Sequence, residues 1–167
     1  MKRIYVCLLA ASLLAACGPN REKELKAIEE HEMQLSALDV NTQDSELGDM
    51  VTLYMQFANH FPNDSLAPVY MQRAADLCIS LSQSDRAVQV LDSLIAQYPG
   101  YEDLGGCYFL KGYAYETAEQ YDSAREAYTY FVNNYPDHPL AADTRRSIDF
   151  LGMTPEEMLE ILLADAE

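Results

Sequence analysis

Residues 108–136 read YFLKGYAYETAEQYDSAREAYTYFVNNYP, and this stretch decides the fold. Ala124, Tyr128 and Phe131 follow one another at offsets of four and three, the spacing of one helical face. Pro136 ends that run, because proline lacks the N–H and its ring clashes with the preceding turn. The same ending occurs earlier in the chain. Phe61-Pro62-Asn63-Asp64, Tyr98-Pro99-Gly100 and Tyr135-Pro136-Asp137-His138 place their prolines 37 residues apart both times. Five residues before each proline stand Phe57, Leu94 and Phe131; eight before, Tyr54, Leu91 and Tyr128; twelve before, Met50, Ala87 and Ala124. Each proline therefore ends a helix whose apolar face points the same way. A fixed period of this length marks a stack of repeated units rather than one closed core.

At Tyr108, Gly112, Tyr115, Ala124, Tyr128, Phe131 and Pro136 the chain resembles the tetratricopeptide repeat (TPR). Lys111 departs from that signature, which usually carries Leu there. The resemblance implies two antiparallel helices. Gly112 and Ala124 are small where the helices approach, and Tyr115 and Tyr128 fill the space between them. Met71, Ala75, Cys78, Ala87, Leu91, Leu94 and Pro99 form a weaker preceding unit, with Ala75 at the glycine position and Cys78 at the aromatic one. The usual period is about 34 residues; the three extra here follow the proline. That longer form is similar to the repeats of envelope TPR proteins of outer-membrane β-barrel assembly and the Tol–Pal system. The expected fold is all-α: a right-handed α-solenoid of antiparallel TPR-type helix pairs, about 37 residues per repeat.

Helices are predicted over 22–38, 46–60, 66–81, 85–97, 103–118, 121–134 and 139–151, with a polar linker at 39–44. Thr154-Pro155-Glu156-Glu157 reads as an N-cap, a first-turn proline and a capping-box glutamate, opening a last helix to about 164. The organisation follows: 1–16 a lipoprotein signal peptide, 17–45 the lipidated cysteine, spacer, charged helix and linker, 46–152 the repeat domain, and 153–167 a capping helix. In the first helix Leu25, Ile28, Leu35 and Leu38 form a narrow apolar stripe broken at Glu32. That stripe packs on the first repeat or pairs with another chain.

Lys2 and Arg3 precede an apolar run, 4–16, too short to span a bilayer. Its end, Leu14-Ala15-Ala16-Cys17, resembles the lipobox of bacterial lipoproteins. The resemblance implies cleavage before Cys17 and acylation of that residue, which would hold the protein on a membrane. An ordinary secretory signal with an incidental cysteine is the alternative. Gly18-Pro19-Asn20 would serve as a spacer. The mixed charge of 20–24 favours an anchor facing the periplasm, on the outer membrane of a bacterial envelope.

The chain has 167 residues, with 11 basic against 27 acidic side chains. A net charge of −16 leaves no general means of neutralising phosphate, so nucleic acid is excluded as a partner. No nucleophile elbow, phosphate loop or dinucleotide fingerprint occurs, and no cofactor is implied. His31-Glu32 begins like a metalloprotease helix, but Leu35 stands where the second ligand belongs. His31, His60 and His138 read as structural or solvated, no metal site is expected, and the chain reads as a non-enzyme. Gly105-Gly106 reads as loosening a helix start rather than cradling phosphate. Cys78 and Cys107 lie in adjacent first helices about 12 Å apart along the axis, too far for a disulfide.

By the repeat register, the first helix of each unit lines a concave side. Its exposed positions are Gln72, Asp76, Phe109, Tyr113, Glu116, Arg146 and Phe150. Aromatics among a few polar groups suit a peptide groove; the alternative is that these rings only fill gaps between repeats. The expected function is a lipid-anchored envelope adaptor or scaffold, an accessory in outer-membrane or envelope assembly. Its partner would be another envelope protein or an extended peptide. A structural homo-oligomer is the rival reading, and an enzyme a remote one.

Overall fold

The computed structural model describes residues 18–36 and 43–164. Cys17, Leu38 and linker residues 39–42 lie outside the described residues. Among the described residues every regular element is a helix: α1 Arg21–Leu35, α2 Gln43–His60, α3 Leu66–Ser80, α4 Ser84–Gln97, α5 Leu104–Thr117, α6 Tyr121–Asn134, α7 Ala141–Ser147 and α8 Pro155–Ala164. Each helix through α7 packs on its sequence neighbours, and the first helices α3 and α5 also touch one another. This is the helix-pair stack that the 37-residue period predicts.

The apolar face of each second helix is buried as the spacing requires. Met50 and Phe57 of α2, Ala87, Leu91 and Leu94 of α4, and Ala124 and Phe131 of α6 are fully enclosed. Gly112 of α5 lies where α6 crosses: a Cβ there would stand 2.4 Å from Cδ1 of Tyr128. No side chain fits without moving that ring. Ala75, at the same place in α3, is fully buried with its methyl accommodated. Lys111, the departure from the signature, reaches back to α4 and donates to Asp92 Oδ1 at 2.6 Å. Cys78 and Cys107 are free and buried, in keeping with the expected axial offset.

The turns repeat as well. The α3–α4 and α5–α6 turns place Ser82 and Glu119 at φ 57° and 58°, the left-handed region. In each, the next residue's N–H closes on a carbonyl five residues back: Gln83 to Cys78 at 2.8 Å and Gln120 to Tyr115 at 2.9 Å. That bond and the left-handed residue make a Schellman ending.

The extra residues after each proline form two linked turns. Asp64, Tyr101 and His138 each donate a backbone N–H to the residue before the proline and accept from Ala67, Leu104 and Ala141 in turn. Their side chains tie each turn to the helix pair before it. Asp64 takes the Arg21 guanidinium at 2.5 Å, Tyr101 donates to Gln72 Oε1 at 2.5 Å, and His138 faces Asp103 Oδ1 at 3.4 Å.

α1 completes a helix pair with α2. Ile28 is fully buried and Leu25 and Leu35 pack on the core, so the described part of the stripe is covered by this chain. Glu32, which breaks the stripe, accepts from Tyr54 at 2.6 Å and from Arg73 at 2.9 Å. α2 begins at Gln43, so Gln43 and Asp44 are helical rather than linker.

The helix expected over 139–151 is shorter. Two linked turns occupy its start, and α7 tightens after Ser147 into a 3-10 turn, Ile148–Phe150. Arg125 of α6 donates to the Ile148 carbonyl at 2.6 Å and holds that ending. Gly152, at φ 78°, then reverses the chain. The predicted capping box opens α8: Thr154 N–H donates to Glu157 Oε2 at 2.7 Å, and Glu157 N–H to Thr154 Oγ1 at 3.3 Å. These bonds hold the Glu157 carboxyl below its ordinary range.

Candidate partner-binding groove

α3, α5 and the turn before α7 enclose a groove of about 330 Å³. Gln72, Arg73 and Asp76 line one wall, Phe109 and Leu110 the floor, and Asp103, His138 and Leu140 the far end. The polar end is a chain of hydrogen bonds. Tyr101 Oη donates to Gln72 Oε1, and Gln72 Nε2 donates to Asp103 Oδ2 at 2.6 Å. Asp103 Oδ1 accepts from the Gly106 N–H at 3.2 Å, which caps α5. Leu140 N–H donates to His138 Nδ1 at 3.2 Å, which leaves Nε2 to carry the proton facing Asp103. Burial, with Cys107 and Asp103 nearby, pushes the Tyr101 hydroxyl up to about 12, so it stays a donor.

The two glycines at this helix start sit against close neighbours. A Cβ on Gly106 would lie 2.4 Å from Asp103 Oδ2, and one on Gly105 would lie 3.1 Å from the Tyr135 ring. They leave room for the N-cap carboxylate and the next turn's aromatic, inside a regular, capped helix start.

The groove's charge is negative where it is open. Arg73 is committed elsewhere: it pairs with Glu32 and lies 5.7 Å over the Tyr70 ring. Asp76 is exposed and has no ion-pair partner among the described residues. The apolar floor continues through Phe109 to Tyr113, whose ring stacks on it at 6.4 Å and is 42% exposed.

Of the seven concave positions, the structure brings together Gln72, Asp76 and Phe109, with Tyr113 beside them. Glu116 and Phe150 line a separate hollow with Tyr121 and Met158, against the start of α8. There Glu116 Oε2 accepts the Tyr128 hydroxyl at 2.7 Å. Arg146 sits on neither surface; it pairs with Asp143 one turn away on α7. Arg73, Asp103, Leu110, His138 and Leu140 were not singled out for the groove. Asp103 had a readable signal, since an acidic residue three before Gly106 is an N-cap pattern. His138 and Leu140 come from the inter-pair turn, which the repeat signature does not cover.

The repeat signature residues hold the groove's walls in place. Phe109 packs on Tyr128 and Phe131 at 5.7 Å, and Tyr108 meets the tilted ring of Tyr130 at 4.4 Å. A larger hollow of about 730 Å³ lies between successive inter-pair turns, 62–69 and 97–102. Tyr98 crosses it to donate to the Pro62 carbonyl at 2.9 Å.

The tetratricopeptide repeat family model matches residues 71–101 and 107–138. The chain carries TPR repeats. No curated protein matched the chain. TPR domains bind protein partners or peptides, as adaptors or scaffolds, and the fold is typically non-catalytic. The matched segments cover most of the α3–α4 and α5–α6 pairs and include Gln72, Arg73, Asp76, Phe109, Leu110 and His138 of the groove.

Proposed function

We propose that the protein is a lipid-anchored adaptor of the bacterial envelope, on the outer membrane facing the periplasm. Its TPR groove takes an extended, basic segment of another envelope protein. The observation that carries the groove reading is the pairing of an apolar floor, Phe109 and Leu110, with the uncommitted carboxylate of Asp76. A cationic side chain would pair with Asp76 while its neighbour lies on Phe109 and Tyr113. The chain's strong negative charge would speed encounter with such a segment. The motif ending at Cys17 supports the anchor, and an accessory part in outer-membrane assembly fits that location.

Envelope crosslinking of the tagged full-length protein tests this reading. One recurrent partner is expected in the wild type, and Asp76→Lys with Tyr113→Ala should reduce its capture at least tenfold. Both side chains are exposed, so helicity should be unchanged. Undiminished capture would remove the groove from the function, and a soluble Cys17→Ala variant is expected if the anchor is right.

A homo-oligomer draws on a different observation. Leu159 and Leu163 of α8 are 57% and 61% exposed. Light scattering on the purified protein separates the two: a monomer at tens of micromolar would end the oligomer reading.

A further inference from the structure

His31 of α1 faces Glu46 and Asp49 of α2 across the helix pair. Glu46 and Asp49 are three residues apart and share one helix face. One ligand atom from each of the three lies within 4.8 Å of the others. His31 Nε2 is closed off from solvent and has no hydrogen-bond partner among the described residues. Its nearest carboxylate oxygen, Glu46 Oε2, is 3.5 Å away.

That distance is long for a charge-assisted hydrogen bond, about 2.7–2.9 Å. It is close to the distance between two ligands of one tetrahedral ion. Ligands held at about 2.0–2.2 Å stand roughly 3.3–3.6 Å apart. Asp49 is exposed and can close the set by a rotamer change. The donors are one imidazole nitrogen and two carboxylate oxygens. Calcium and magnesium prefer oxygen alone, and Cu(I) prefers sulfur; this mixed set suits zinc.

We propose that His31, Glu46 and Asp49 form a zinc site that clips α1 to α2. Three protein ligands leave a fourth position for water. The ligands meet only in the folded helix pair, so ion binding stabilises α1 against α2. The site lies away from the groove and stands whether or not the adaptor reading does. It departs from the expectation that His31 is structural or solvated and that no metal site is present, because its partners lie across a linker where spacing gives no signal.

The test is calorimetric titration of zinc chloride into purified, chelator-stripped protein. One saturable site of micromolar affinity or better is expected, with a raised melting temperature. Affinity should fall at least tenfold in His31→Gln and in Glu46→Gln/Asp49→Asn, and stay unchanged in His60→Gln. In the unmutated protein, zinc should shift the His31 ring resonances selectively, a readout that needs no variant to fold. Absence of saturable binding, binding that survives His31→Gln, or an unmoved His31 signal would overturn the proposal.

Discussion

The α3–α4 and α5–α6 pairs share a backbone and differ in what fills the space between their helices. In the first pair, Ala75 and Leu91 stand 37 residues before Gly112 and Tyr128, and Cys78 occupies the aromatic place; all three are fully buried. In the second pair the same positions carry Gly112, Tyr128 and Tyr115. Tyr128 lies over Gly112, packs on Phe109 and donates its hydroxyl to Glu116. The residue at the crossing is therefore set by the size of its partner. A methyl suits a leucine; only hydrogen suits a tyrosine.

The largest effect should come from breaking that match. Gly112→Leu should cost about 3 kcal/mol or more, because it overpacks an enclosed crossing. Gly112→Ala sharpens the comparison. It gains about 1 kcal/mol of helix propensity, yet it drives a Cβ into the Tyr128 ring and should still destabilise. Adding Tyr128→Leu recreates the Ala–Leu combination of the first pair. A double-mutant cycle read by urea unfolding should show a favourable coupling of about 1 kcal/mol or more. Purely additive effects would show that the two residues do not meet.

A second contrast is electrostatic. Burial pushes the Cys107 thiol and the Tyr108 hydroxyl up to about 12, and the Tyr128 hydroxyl up as well. In the first pair the Cys78 thiol is also raised by burial, but less far. These groups are neutral when protonated, and folding favours the protonated form. Their stabilising share is complete below the unfolded values, about 8.5 for Cys and 10 for Tyr. It is lost as pH climbs towards about 12 in the folded protein. The enclosed Cys107 thiol contributes most to that loss, and the more exposed Tyr108 hydroxyl, screened by solvent, contributes less. The urea midpoint should fall from pH 9 to 11. Cys107→Ala should flatten that fall more than Cys78→Ala does. Equal flattening would mean that the two pairs carry the alkaline sensitivity alike.

Most of the stack was legible because it rests on spacing. Three prolines at one interval, small residues at crossings and Thr154 with Glu157 each have a single physical reading, and the helices fall where those readings put them. The ties between pairs were hidden. Asp64, Tyr101 and His138 occupy one position in the period but share no chemistry: a carboxylate, a phenol and an imidazole make the same kind of contact. Glu32 misled in a related way. It looked like a break in an apolar stripe, yet its carboxylate is the acceptor for Tyr54 and Arg73. Of the concave set, Gln72, Asp76 and Phe109 line one groove. At Phe150 the 3-10 turn after α7 rotates the ring off the face that α-helical spacing assigns; Glu116 and Arg146 lie on regular helix yet leave the set, drawn to Tyr128 and to Asp143.

The smallest expected effect tests what the two pairs have in common. Ser82 and Glu119 both adopt the left-handed conformation, which costs a non-glycine residue about 1–2 kcal/mol. Glycine would relieve that strain but lose about 0.5–1 kcal/mol through the greater freedom of the unfolded chain. Ser82→Gly and Glu119→Gly should therefore each raise stability by about 0–1.5 kcal/mol, and by similar amounts. The turns close with the same pair of hydrogen bonds and neither side chain is buried, so packing adds nothing to distinguish them. A gain at one site and a loss at the other would show that the two turns differ in energy despite their common geometry. The contrast between the pairs would then extend from the helix crossing to the backbone itself.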